Sequence, residues 1–108
     1  MKKLEYTLGS GNVFKDLGLP NAEELLAKAE LVHAITCAIE DRNLTQQQAA
    51  RIAGTSQAKI SDMVRGQFDQ FTIDRLIKML MAFDQDVRIE LAPKPRSRAR
   101  ATMTVATA

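Results

Sequence analysis

The chain has no tryptophan, one tyrosine and four phenylalanines, so aromatic residues make up only 5% of it. A core made from these residues must rest on Leu, Ile, Val, Met and Ala, which suits a small helical domain. The single cysteine, Cys37, excludes an internal disulfide. No apolar run is long enough to cross a bilayer, and no leader-like segment opens the chain. A soluble, cytoplasmic protein with no membrane partner is therefore expected. At 108 residues the chain is one domain's worth, large enough for a modest core.

Net charge is also small, at +2, but it is unevenly placed. Residues 1–40 carry six acids and four bases, whereas residues 42–78 carry six bases and three acids. From Pro93 onward there are four bases and no acid. A solvated charged face would explain each lysine or arginine singly, but not this asymmetry. It fits a chain whose central and C-terminal parts approach a polyanion.

The stretch Leu44–Gly66, LTQQQAARIAGTSQAKISDMVRG, is the most informative. Thr45 followed by Gln48 is a capping-box spacing, which predicts a helix over about Gln46 to Ala53. Gly54 can take the positive φ that a helix stop requires, and Thr55 or Ser56 can restart the chain as an N-cap. A second helix then runs from about Gln57 to Arg65 and ends at Gly66. Ala49, Ala50 and Ala53 let the two helices approach closely, with Ile52, Ile60, Met63 and Val64 expected beneath them. Helical spacing leaves Gln57, Ala58, Ser61, Asp62 and Arg65 facing outward. Two short helices so arranged form a helix-turn-helix, whose second helix enters the major groove by its N-terminal end. The same arrangement also occurs as plain packing.

These residues resemble the helix-turn-helix of the phage-repressor (Cro/CI or XRE) superfamily. The likeness rests on L-T-Q at the start, Ala50 at the tight contact, Gly54-Thr55-Ser56-Gln57 across the turn, and Ile60 and Met63 in the core. It implies an all-α fold, a compact lambda repressor-like helical bundle, and binding of double-stranded DNA at a palindromic operator.

The remainder divides into an N-terminal extension (1–20), the domain itself (21–92) and a basic flexible tail (93–108). In the extension, Leu4, Tyr6 and Leu8 alternate weakly like a strand, and Val13, Phe14, Leu17 and Leu19 form an apolar patch. That patch packs either on its own domain or on another chain. Asn21 as N-cap with Glu24 opens a long helix to about Arg42, with Leu25, Leu26, Ala29, Val32, Ile35 and Ile39 on one stripe and Asn43 as a left-handed stop. His33 and Cys37 stand four apart on it, but zinc wants three or four ligands and a thiol nucleophile wants an oriented base. An ordinary side-chain pair is the simpler account, and no metal, cofactor or catalytic residue is expected.

After Gly66, a loop with Phe68 and Phe71 leads to a helix capped by Thr72. Its stripe is Ile73, Leu76, Ile77, Leu80 and Met81, reaching about Phe83. Val87, Ile89 and Leu91 then alternate with Arg88 and Glu90, the period of a half-buried strand. One strand cannot satisfy its own backbone, so a second copy across a two-fold axis is the economical partner. Pairing centred on Ile89 would set Arg88 of each chain against Glu90 of the other, contributing about 0.2–1 kcal/mol per pair. The tail, PKPRSRAR, reads as extended and basic. It is either a disordered terminus or an arm adding phosphate or minor-groove contacts.

On DNA, Gln57 can pair with adenine through N6 and N7, Ala58 can touch a thymine methyl, and Lys59 can reach guanine or the backbone. Ser61 lies further along the exposed face, and Asp62 could accept from cytosine N4. Arg42, Arg51, Arg65 and Arg75 are candidates for phosphate. The resemblance implies that Gln46 holds a phosphate and steadies Gln57. Against these roles, Gln57 could merely cap its helix, and Asp62 could merely pair with Lys59 or Arg65.

Upstream GNVFKDLGLPNAEELLAKAEL and downstream FTIDRL and FDQDVRIEL are similar to XRE proteins of the HigA antitoxin type. That resemblance implies a homodimer that represses its own operon and masks a RelE/HigB-like mRNA-cleaving toxin. A stand-alone repressor and a protein-interaction module that has lost DNA binding remain as alternatives. An enzyme does not fit the residues present.

Overall fold

Twenty residues without a proline or glycine, Ala22–Asp41, make α1, the longest helix in a computed structural model that describes residues 21–106. It is about 30 Å long. Three shorter helices follow: α2 over Gln46–Ala53, α3 over Gln57–Val64 and α4 over Ile73–Ala82. The predicted extents of all four agree with these to within a residue or so. The strand signal at Leu4 to Leu8 and the Phe14 patch lie outside the described residues.

Local chemistry sets most of the boundaries. Thr45, Ser56 and Thr72 each hold an extended backbone, and each side chain accepts a hydrogen bond from an amide in the first turn of α2, α3 and α4. Asn21 behaves differently from the N-cap expected of it. Its φ of 57° is left-handed, and its side chain makes no capping bond. Capping needs an extended residue that turns its oxygen back over the first turn, which a left-handed backbone does not do. Only the Asn21 carbonyl serves the helix, accepting from Leu25 N–H at 2.9 Å.

Every described helix stops in the same way. Leu44 N–H reaches back to Ile39 O and Asn43 N–H to Glu40 O at the end of α1. Thr55 to Ala50 with Gly54 to Arg51, Gln67 to Asp62 with Gly66 to Met63, and Gln85 to Leu80 with Asp84 to Met81 repeat the pair after α2, α3 and α4. The residue at the pivot is left-handed each time: Asn43, Gly54, Gly66 and Asp84. Such paired bonds satisfy carbonyls that the helix itself cannot. Arg42 then ties the first stop to the last, its Nη2 donating to Phe83 O at 3.0 Å and to Asp84 Oδ2 at 2.6 Å.

The core lies between α1 and α4, with the α2–α3 pair closing it from one side. Leu31, Ile35 and Ile39 of α1 meet Leu76, Met79 and Leu80 of α4, with Phe71 and Phe83 at its two ends. Ala49, Ala50, Ile60 and Met63 complete the cluster. Three expected core residues are on the surface instead: Ile52, Val64 and, most openly, Met81 at 58% exposure. Val64 and Met81 each follow a buried residue by one position, about 100° around a helix, and Ile52 follows buried Ala50 by two. Short helices bury one narrow stripe, and Met79 takes the place expected for Met81.

Along the first half of α1, Leu25, Leu26 and Ala29 are half-buried, while Ala27, Lys28 and Glu30 are sealed in. The Lys28 stem is covered, and its ammonium donates to Asp69 O at 3.2 Å beside Glu24. That bond pins α1 to the loop after α3.

Beyond Asp84 the expected strand over Val87, Arg88, Ile89, Glu90 and Leu91 is not formed, and the described residues of this single chain contain no strand. Ile89 is 72% exposed and Leu91 92%. A lone segment has no ladder to join, so its absence follows from one chain standing alone. The tail is not extended throughout. It turns at Pro95–Arg98, with Arg98 N–H bonded to Pro95 O, and comes back to α1, where Met103 N–H donates to Glu23 Oε1 at 2.9 Å. Val105 packs against the core. Alternation and charge carry no signal for such a return.

The turn at Gly54 isolates one term of this architecture. A Cβ built there meets nothing within 4 Å, so only the backbone resists substitution at φ 72°. Gly54→Ala is expected to lower the free energy of urea unfolding by about 1–2 kcal/mol, and Gly54→Asn by less. Equal stability of all three would show that the turn does not need its left-handed residue.

Candidate nucleic-acid interface

The α2–turn–α3 unit is rigid because its polar ends are satisfied locally. Thr45 and Gln48 exchange side-chain bonds to each other's amides at 2.9 and 3.1 Å, completing the capping box. Gly54 turns the chain, and Ser56 Oγ accepts from Lys59 N–H at 3.1 Å. Arg75, on α4, donates from Nη2 to the Gly54 carbonyl at 3.2 Å, bracing the turn from outside. Of the two predicted restarts, Ser56 is the cap, so Gln57 is spared that task.

α3 has two sharply different sides. Ile60 and Met63 are 0% and 1% exposed, whereas Gln57, Ala58 and Lys59 are all exposed. Ser61 and Asp62 are half-buried on the flank of that outward face. Among the described residues, the side chains of Gln57 and Lys59 enter no hydrogen bond or ion pair. Gln46, half-buried at the start of α2, makes no hydrogen bond to Gln57, and Arg51 is exposed on α2.

The remaining predicted site residues are engaged within the protein. Arg42 sits at the far end of α1, holding Phe83 and Asp84. Asp62 is paired with Arg65 at 2.8 Å and accepts from Gln70 at 3.4 Å. Gln70 did not stand out in the sequence, because its loop position has no periodicity to mark it. His33 and Cys37 approach to 3.8 Å, and no group of three or more His, Cys, Asp or Glu able to hold a metal occurs among the described residues. No helix among them is long and apolar enough to cross a membrane.

An outward polar face on a short helix, braced from behind and preceded by a capped partner helix, matches what major-groove reading requires. A family model described as a helix-turn-helix domain matches residues 13–92. Among solved structures, a protein described as an XRE family transcriptional regulator is similar at 39% identity and a TM-score of 0.76. That match covers 82% of this chain and 100% of the other. No curated protein gives a significant match. With the α2–α3 geometry and both likenesses in agreement, the chain belongs to the XRE family of helix-turn-helix proteins.

Proposed function

We propose that this chain is a sequence-specific transcription regulator that reads operator DNA through α3. On this reading it binds as a two-fold dimer and represses its own operon as the antitoxin of a type II toxin–antitoxin pair. The two-sidedness of α3 carries the DNA-binding part: Ile60 and Met63 fix the helix, and Gln57, Ala58 and Lys59 are left outward. A major groove about 12 Å wide admits such a helix. Gln57 offers a donor and an acceptor to adenine N7 and N6, and Ala58 offers a methyl contact to thymine. Lys59 reaches guanine or a phosphate, and Arg51 supplies charge to the backbone.

Support for the dimer comes from Val87–Leu91. Ile89 and Leu91 are open to solvent, and Arg88 lies only 3.8 Å from Glu90 of its own chain in a fully hydrated pair. Such a pair contributes little, so exchanging it for cross-strand partners costs little, and the apolar residues gain cover. The two copies of α3 must then lie about 34–36 Å apart to meet successive major grooves. The antitoxin role is supported by the resemblance of GNVFKDLGLPNAEELLAKAEL and FDQDVRIEL to HigA-type proteins.

Binding measurements separate the roles on α3 and α2. Gln57→Ala is expected to cost about 1–3 kcal/mol at one base position, whereas Arg51→Ala weakens all sequences alike and lowers the salt slope by about 1. Equal losses on every duplex would remove Gln57 as a reader. Affinity that hardly changes between low and physiological salt would favour an interaction module over a DNA reader.

Sedimentation tests the strand pairing. Ile89→Lys should be monomeric at micromolar concentration where the parent chain is a dimer, and an unaltered dimer would refute pairing through Val87–Leu91.

Co-expression with the product of the neighbouring gene tests the antitoxin role. Rescue of growth together with co-purification is expected; a neighbour without toxicity points to a stand-alone repressor.

A further inference from the structure

Asp62 is an acid on the flank of a helix face that must approach a polyanion. A free carboxylate there would repel phosphate and weaken every complex. It is not free. Oδ1 accepts from Arg65 Nη2 at 2.8 Å, and Oδ2 accepts from Gln70 Nε2 at 3.4 Å. The Asp62 carbonyl also accepts from Gln67 N–H at 2.8 Å, so this residue is joined by main chain and side chain to the loop that follows α3. Its side chain is 31% exposed, and that of Arg65 is 62% exposed.

We infer that Asp62 is a positioning residue: it holds the Arg65 guanidinium to read a guanine edge and does not itself contact a base. This rests on the DNA-reading function proposed above. Gln57 and Ser61 lie on successive turns of α3, and Arg65 is its C-cap, about one turn beyond Ser61 and about 12 Å along the axis from Gln57. Only one of the five guanidinium N–H donors is needed for the bond to Oδ1, which leaves a fixed fork for guanine O6 and N7. The pair is electrically neutral, so it adds little attraction for phosphate. What it adds is direction, which matters for a base edge far more than for a diffuse backbone charge. Both Asp62 oxygens already face partners within the protein, which turns the carboxylate toward Arg65 and Gln70.

The test begins by selecting bound DNA from a random pool with the full chain. Asp62→Ala, Arg65→Ala and the double variant are then titrated against that operator, its single-base variants and a random duplex at several salt concentrations. Both single variants are expected to flatten discrimination at the same base pair by roughly tenfold, with the double variant flattening it no further. Asp62→Ala is also expected to bind the random duplex more tightly and with a steeper salt dependence, because it removes an acid and frees an arginine.

Gln70→Ala, which leaves α3 untouched, should produce a smaller shift at the same base pair. It keeps the inference testable if Asp62→Ala unfolds. Undiminished discrimination in Asp62→Ala and Gln70→Ala would reduce the cluster to a surface ion pair. Loss at a different base pair from Arg65→Ala, additive in the double variant, would make Asp62 a direct reader. Uniform weakening by Arg65→Ala would make Arg65 a phosphate contact. Each of these overturns the clamp while operator selection by the parent chain still stands. Failure of the parent to select any DNA would remove the function and the clamp together.

Discussion

An eight-residue helix does not hold itself together in water, because nucleation costs more than one or two turns of hydrogen bonding return. α3 exists because Ile60 and Met63 are driven into the core between α1 and α4. Complete burial of two such side chains is worth about 1.5–3 kcal/mol each. That burial does more than stabilise. It fixes the rotation of the helix about its axis, and so decides that Gln57, Ala58 and Lys59 face outward. A quarter-turn slip would bring Ser61 or Val64 under the helix and turn Gln57 and Lys59 along the surface. The packing behind α3 and the polar face in front of it are one constraint seen from two sides.

The stops between helices supply the second constraint, the angles at which the helices meet. Each described helix ends on a left-handed residue, but only two of the four are glycine. Gly54 and Gly66 flank α3, and at Gly54 the chain must present a new face within three residues. Asn43 and Asp84 close the long helices at the opposite end of the bundle. There Arg42 clasps Phe83 O and Asp84 Oδ2, which helps offset the cost of holding an acid at φ 63°. Aspartate tolerates that backbone poorly compared with glycine, but it gives the arginine something to hold.

What the sequence revealed and what it concealed divide along the same physical line. Thr45 with Gln48, Gly54, Thr72 and Asn43 act on their immediate neighbours, so their roles were readable from spacing alone. Ile60 and Met63 were readable because they repeat at helical spacing within one short element. Ile52, Val64 and Met81 are just as apolar but lie outside the narrow stripe that a distant helix covers. Nothing local reports where that stripe falls. Asn21 failed as a cap because its backbone went left-handed, a choice the residue permits and its spacing to Glu24 does not register. The return of the tail to Glu23 spans 80 positions, and no periodicity connects residues so far apart.

The arginines show how composition can mislead about a binding face. Six bases between residues 42 and 78 suggested a cationic surface offered wholesale to phosphate. The structure divides them by task. Arg42 is spent on the clasp at Asp84, Arg75 on the Gly54 carbonyl and Arg65 on Asp62, while Lys78 pairs with Asp74. Of the six, Arg51 and Lys59 have no acidic partner, and Arg75, whose partner is a neutral carbonyl, keeps its charge beside the α2–α3 turn. On the function proposed above, these three cations supply counterion release, and the accuracy with which polar side chains are held supplies base discrimination. On that reading, rigidity of the α2–α3 unit serves recognition as well as folding. The capping box, the braced turn and the buried pair beneath α3 all contribute to that rigidity at once.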